Sequence, residues 1–281
     1  MRGAPTRFRL FVEAREQARL VKELVGGPPP HSNDPIIAVN RFCNINREDD
    51  AVTRWVKANV RDKLVFLEQG PEQLVVQLLA TRIWNHPPTL AVILPVIIPA
   101  VALRKLDALR AAGGKTMRGA YMMPVHGNNG RGRTVDQYYM AAVEEAQTVT
   151  WRDMRSLAEV ATRLVQIMGI GDFLANQVCA DLRHTPWGAA MPDKGTFVLC
   201  GPGTRRGLDR YAGFGPEGPL NFSRTQQTYV ARLLEIRRTL SDENFFNTTF
   251  YDPNNLANCF CEWDKHERVL HGETARLHTY P

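Results

Sequence analysis

With 281 residues, 44% of them hydrophobic and 23% charged, the chain has an ordinary globular composition, long enough for one or two lobes and unlike a disordered or collagen-like chain. The formal net charge of +6 favours a polyanionic partner without requiring one. Five cysteines lack disulfide-framework or CxxC spacing and the N-terminus lacks a signal peptide's apolar core, so the expectation is a reduced, cytoplasmic protein with no cysteine-held metal.

In the first helix Phe11, Ala14, Ala18, Val21 and Val25 recur at three and four, Glu and Arg fill the other positions, and Gly26-Gly27-Pro28-Pro29-Pro30 ends it. Most of that helix reads as scaffold. Asn33-Asp34-Pro35 reads as a cap with proline at the first helical position. It opens a dense polar segment, Arg41-Phe42-Cys43-Asn44-Ile45-Asn46-Arg47-Glu48-Asp49-Asp50, with Trp55 beyond it. Such a cluster is either a solvated helix end or, with aromatics among arginines and asparagines, the lining of a site.

Pro71 starts a helix carrying Leu74, Val75, Leu78, Leu79 and Ile83, which ends before His86-Pro87-Pro88. The apolar run from Leu90 to Leu103 is too short, and too interrupted by Pro95 and Pro99, to span a bilayer, so it reads as core. A helix over about 99–110 then reaches Gly113-Gly114-Lys115-Thr116. These residues resemble the end of a P-loop, but Leu109 stands where the motif needs glycine and no strand precedes it, which excludes a nucleotide-binding P-loop. Between 113 and 133 the composition shifts to Gly, Asn and Arg, the pattern of a short β-hairpin or extended insertion. Arg131 and Arg133 among its glycines suit either a phosphate grip or a solvated loop.

Helical pattern resumes near Val135 and leads to a central stretch, Ile167-Met168-Gly169-Ile170-Gly171-Asp172-Phe173-Leu174-Ala175. Leu157, Val160, Leu164 and Ile167 lead into it, and Phe173, Leu174, Val178 and Leu182 lead out. Two glycines in a very short connection make a helix-hairpin-helix pattern, in which Gly169 and Gly171 allow unusual backbone angles and expose amides at the start of the second helix. A DNA phosphate suits such a site, although an ordinary turn between helices has the same spacing. From Pro186 to Gly218 the chain reads as irregular, holding Asp193 and Gly201-Pro202-Gly203-Thr204-Arg205-Arg206-Gly207. Ser223 is expected to cap a helix through about 240 with Tyr229, Leu233 and Ile236 inward, and a last helix follows Asp252-Pro253 and carries Cys261 to Arg268.

The order of these features is similar to that of helix-hairpin-helix DNA glycosylases, which put the hairpin on the phosphate backbone, follow it with a Gly/Pro-rich loop bearing a catalytic aspartate, and flip the target base between two lobes. Asp193 falls near that aspartate's place, with Asp181 as competitor; Phe173 stands where lyase-type members carry a nucleophilic lysine, which excludes an amine-based covalent step there. More specifically, Arg41-Phe42-x-Asn44-x-x-Arg47-Glu48-x-Asp50, Gly119-Ala120-Tyr121, the hairpin, Gly201-Pro202-Gly203-x-Arg205-Arg206-Gly207-Leu208 and Cys261-Glu262-Trp263-Asp264-Lys265 occur in an order that resembles the α-glutamyl/putrescinyl thymine pyrophosphorylases, over about residues 11–268. These are phage amino acid:DNA transferases related to the glycosylases.

The resemblance implies a mainly α, two-lobed helix-hairpin-helix DNA-glycosylase-like fold forming one unit over 1–281. A helical lobe would cover about 1–150, a hairpin lobe about 151–215, and C-terminal helices over about 221–281 would pack back on the first lobe. It also implies thymine hypermodification: a kinase converts 5-hydroxymethyluracil in DNA to its 5-pyrophosphoryloxymethyl form, and the transferase replaces pyrophosphate with an amine from an amino acid or polyamine. At the motif positions, Arg41, Arg47 and Lys265 suit the pyrophosphate, and Glu48, Asp50 and Asp193 suit the base or the amine's anchor. Asn44 suits the uracil edge, and Gly169, Gly171, Arg205 and Arg206 suit the DNA backbone, whereas Glu262 and Asp264 read more readily as salt-bridge partners within a closing helix. The expected partners are double-stranded DNA carrying a modified thymine and a small amine, with no membrane. Mg accompanying pyrophosphate, or a monovalent cation on the hairpin carbonyls, is compatible with these residues, and none of them demands a cofactor or metal. Two other readings stay open: a glycosylase excising a modified pyrimidine, and a non-catalytic DNA-binding module.

Overall fold

Wherever the apolar period of three and four persists, the chain is helical, and the protein is mainly α. The computed structural model describes residues 3–63, 70–94, 97–117, 134–213, 225–273, 275 and 277–279. In chain order the helices are α1 (Ala4–Leu24), α2 (Pro35–Val39), α3 (Ala51–Val56), α4 (Gly70–Trp84), α5 (Pro87–Ile93), α6 (Pro99–Ala111), α7 (Val135–Gln147), α8 (Leu157–Leu164), α9 (Asp172–Leu182), α10 (Pro186–Ala189), α11 (Pro202–Tyr211), α12 (Gln226–Asp242) and α13 (Pro253–Leu270). Among the described residues, strand pairing joins β1 (Asn40–Arg41) to β2 (His278–Thr279), antiparallel, with Asn40 opposite Thr279 and Arg41 opposite His278. No helix of the described residues is long and apolar enough to cross a membrane.

Packing divides the chain into two units, one of residues 1–50 with 198–281 and the other of 51–197. These boundaries differ from the expected 150 and 215. The reason is that α4 packs on α7 and α9, so the middle helices share a core with the hairpin, while α1 packs on α11 and α13.

In the first unit Phe8 of α1 stacks on Phe260 at 4.3 Å between ring centroids and meets Trp263 edge-on at 5.5 Å. The stretch read as irregular contains a ten-residue helix, α11, lying along α13. Its glycines serve close packing rather than turning: a Cβ on Gly203 would come 2.5 Å from Cys261 Sγ, and one on Gly207 would come 2.3 Å from the Phe260 carbonyl oxygen. Thr225 caps α12, its hydroxyl accepting from Thr228 N–H; Ser223 lies outside the described residues.

The second unit is built around α4, which is buried from Leu74 to Trp84 on every side. Trp84 Nε1 donates to Asp136 at 2.8 Å, and Arg82 grips Asp181 with Nε and Nη2 at 2.5 and 2.6 Å, so these buried donors meet carboxylates. Helix α6, not a strand, precedes Gly113-Gly114-Lys115-Thr116. Most of the expected insertion, including Gly119-Ala120-Tyr121, Arg131 and Arg133, lies outside the described residues.

Candidate functional site

The polar segment after α2 takes its shape from its own side chains. Asp34 accepts from the Ile36 and Ile37 amides, both at 2.9 Å, and Asn40 donates back to the Ile36 carbonyl at 2.9 Å, which ends α2 after five residues. Asn46 accepts from Glu48 N–H at 3.1 Å, opening a short 3-10 turn over Arg47–Asp49, and Asp50 accepts from Asn44 N–H at 3.2 Å. The density of Asn and Asp that marks this segment in the sequence is thus used first to fold it.

Helix α13 holds the segment from one side. Asn255 accepts from Arg47 N–H at 3.1 Å, Asn258 accepts from Arg47 Nη1 at 3.2 Å and donates to the Asn44 carbonyl at 3.3 Å, and Glu262 accepts from Cys43 N–H at 3.4 Å. Helix α1 holds it from another, through Arg15, whose Nη2 donates to the Cys43 carbonyl. Between α1 and residues 40–45 lies a pocket of about 330 Å3.

The structure brings some of the sequence-derived candidates to this pocket and leaves others beside it. Arg41, Asn44 and Asp50 line it. Arg47 and Lys265 do not; Arg47 is buried against Asn258, and Lys265 Nζ donates to Glu262 at 2.6 Å. Glu48 is half-buried and also lies outside the lining. Burial opposes the charge on Lys265, but the Glu262 carboxylate, through its charge and hydrogen bond, favours it, and the ammonium's pKa is raised. Glu262, followed by burial and Asp50, pushes the Cys43 thiol up to about 12, and burial followed by Glu262 pushes Cys261 to about 11. Both are therefore neutral thiols at neutral pH.

The remaining candidates of this unit are engaged in packing. Asp264, wholly buried, accepts from Arg206 Nε at 2.7 Å and Arg210 Nε at 2.9 Å. Arg205 donates to the Cys200 carbonyl at 2.8 Å and lies over the Tyr229 ring at 5.6 Å. Glu262 and Asp264 thus act as ion-pair partners of α13 with Lys265, Arg206 and Arg210.

In the other unit, α8 and α9 are joined by a turn in which Gly169 has a φ of 83°, a left-handed conformation that favours glycine. Gly171 precedes α9, and a Cβ there would meet nothing within 4 Å, so the backbone is open at that point. Phe173, in the first turn of α9, is 41% exposed. Asp193 accepts from the Leu157 and Ala158 amides, both at 2.9 Å, and so caps α8 from a distance of 35 residues or more along the chain. Asp181 is closed between Arg82 and Arg61.

Three basic lining residues went unassigned in the sequence: Arg15, Arg19 and Lys22 of α1. A signal was present, since Phe11, Arg15, Ala18 and Lys22 follow the four-three-four spacing of one helix face, putting cations in the apolar stripe. Among the described residues no group of three or more His, Cys, Asp or Glu could hold a metal ion.

A family model described as 5-hmdU DNA kinase, helical domain, matches residues 4–276, nearly the full length of the sequence. No curated protein and no solved structure matches it significantly.

Proposed function

The chain belongs to the 5-hmdU DNA kinase helical-domain family, a phage DNA thymine-modification family, and from that premise we propose that it replaces the pyrophosphate of 5-pyrophosphoryloxymethyluracil in DNA with an amine. The observation carrying this reading is the convergence of the Arg41–Asp50 segment and α13 beside one pocket of about 330 Å3 within a single unit. The amine nitrogen attacks the 5-methylene carbon, the carbon–oxygen bond breaks, and pyrophosphate leaves with the bonding electrons. The proton of the incoming ammonium passes to a carboxylate, for which Asp50 in the lining and Glu48 next to it are the candidates. Arg41 meets the charge growing on the leaving group, and Arg47 and Lys265 add positive potential behind it. Asn44 reads the uracil edge. The amine comes from an amino acid or a polyamine.

In this reading DNA is double-stranded, the base is flipped out of the stack as in a two-lobed glycosylase-like fold, and Gly169, Gly171, Arg205 and Arg206 contact the backbone. Asp193 is the third carboxylate candidate; with both oxygens accepting from the start of α8, we assign it to holding that helix. Mass spectrometry of nucleosides after incubation with pyrophosphorylated DNA and candidate amines tests the proposal. A product carrying the amine, with pyrophosphate released, supports it; abasic sites point to excision instead.

A second reading is favoured by the family's description as the helical domain of a kinase and by α6 standing where a P-loop would need a strand: a module that binds and presents the 5-hydroxymethyluracil nucleotide without its own chemistry. Tight DNA binding with unchanged nucleosides in the same assay is its signature.

A further inference from the structure

Residues 42–44 belong to neither a helix nor a strand, so no regular ladder answers their backbone polar groups. At Cys43 and Asn44 side chains do so instead, and all four groups are met. Cys43 N–H donates to Glu262 at 3.4 Å and its carbonyl accepts from Arg15 Nη2, while Asn44 N–H donates to Asp50 at 3.2 Å and its carbonyl accepts from Asn258 Nδ2 at 3.3 Å. These partners are themselves braced. Arg15 and Glu262 are 5% and 2% exposed, Arg15 lies over the Phe11 ring at 5.1 Å, Glu262 also accepts from Lys265, and Asn258 Oδ1 accepts from Arg47 Nη1. Asn44 is half-buried in the pocket wall, and its carboxamide has no hydrogen bond to any described residue. The fold thus fixes the backbone of Asn44 on both sides while its side-chain donor and acceptor stay open to the pocket.

We propose that Asn258, Glu262 and Arg15 are positioning residues, holding the backbone at 43–44 so that the Asn44 carboxamide meets the hydrogen-bonding edge of the pyrimidine that enters the pocket. This rests on the reading of the pocket as the modified base's. A carboxamide presents an acceptor and a donor side by side, which complements an edge where N3–H adjoins a carbonyl, as in a 5-substituted uracil. On a mobile loop each ligand would have to order that group; side-chain contacts at all four neighbouring backbone groups remove the cost before binding. Asn258 acts most directly, because its Nδ2 holds the Asn44 carbonyl, whereas Glu262 and Arg15 hold the residue before it. Asn258 and Glu262 lie outside the pocket lining and so act through Asn44 without touching the base.

The test is a ligand-observed NMR titration of the full chain with 5-hydroxymethyl-2′-deoxyuridine and with its 3-methyl derivative, comparing wild type, Asn44→Ala and Asn258→Asp. Asn258→Asp keeps an acceptor for Arg47 and removes the donor to Asn44. Thermal unfolding checks that each variant is folded, and Asn258→Ala takes its place if the added charge one turn from Glu262 unfolds it. Wild type prefers the unmethylated nucleoside by roughly tenfold, the scale of one hydrogen bond whose loss leaves its partner unsatisfied. Asn44→Ala loses that preference, and the Asn258 variant loses most of it. A merely structural role for Asn258 would weaken both nucleosides together and leave their ratio at the wild-type value. That result, equal binding of the two nucleosides by wild type, binding of neither, or an unchanged ratio in Asn44→Ala would overturn the inference. Its fate is separable from that of the transfer reaction: Asn258-dependent selectivity without amine transfer leaves the positioning role standing and removes the transferase, and transfer with selectivity indifferent to Asn258 does the reverse.

Discussion

Asp181 and Asp50 are both carboxylates close to arginines, and the two units use them differently. Asp181 is 1% exposed and closed between Arg82 and Arg61, with a hydrogen bond on each oxygen from Arg82. Asp50 is half-buried, accepts from the Asn44 amide and lines a pocket with Arg15 and Arg41. A sealed pair fixes how helices pack, because removing one partner leaves a buried charge with no compensation. A carboxylate at the wall of a cavity can instead meet a ligand that enters it. The comparison separates a scaffold from a site more clearly than charge density along the sequence does.

The largest effect should come from breaking the sealed pair. Asp181→Asn leaves Arg82 and Arg61 buried with a neutral partner and should destabilise the unit of 51–197 by about 3–5 kcal/mol in chemical denaturation. A loss under about 1 kcal/mol, no larger than that of a surface substitution, would erase the contrast with Asp50. Next is Gly207→Ala, where the added methyl meets the Phe260 carbonyl; separating α11 from α13 should cost about 1–3 kcal/mol and loosen the helix that supports the Arg41–Asp50 segment.

Asp193→Ala should cost about 1 kcal/mol through the lost cap of α8, while folded protein keeps its catalytic rate. A rate loss of about a hundredfold or more without unfolding would return Asp193 to the chemistry. The smallest effect concerns pH. Burial opposes ionisation of Asp34, but the His266 hydrogen bond and the Ile37 and Ile36 amides prevail, so its folded pKa lies below its unfolded one. Its contribution is therefore present above the unfolded value, about 3.9, and is lost as pH falls through the folded pKa. Asp34→Asn should flatten the acid limb of the stability profile measured by thermal unfolding between about pH 2 and 4.

Sequence patterns revealed local helices and caps well. Asp34 before Pro35 and Asp252 before Pro253 both cap as their residue types suggest, and Leu157, Val160, Leu164 and Ile167 are buried as their spacing requires. Val25 is 79% exposed because α1 ends at Leu24, and the final member of an apolar repeat has no neighbour to cover it. The glycines of 201–207 misled because glycine permits both turning and close approach; only the partner helix, about 55 residues later in the chain, decides between them. The same long-range dependence hid Arg15. Its hydrogen bonds to Cys43 and Cys259 join residues 28 and 244 positions away, beyond the reach of any local pattern, and the polar segment itself showed where a site would be without showing what faced it.

The central claim is that the pocket beside the Arg41–Asp50 segment carries the chemistry on the modified base. The most direct measurement is single-turnover conversion of DNA containing 5-pyrophosphoryloxymethyluracil with a mixture of amino acids and polyamines, followed by nucleoside mass spectrometry, for wild type and Asp50→Asn at equal folded concentration. The account predicts an amine-bearing nucleoside from wild type and a rate at least about a hundredfold lower from Asp50→Asn, the usual scale for a general base. Wild-type conversion by Asp50→Asn, or wild-type protein that binds this DNA and leaves every nucleoside unchanged, would contradict it.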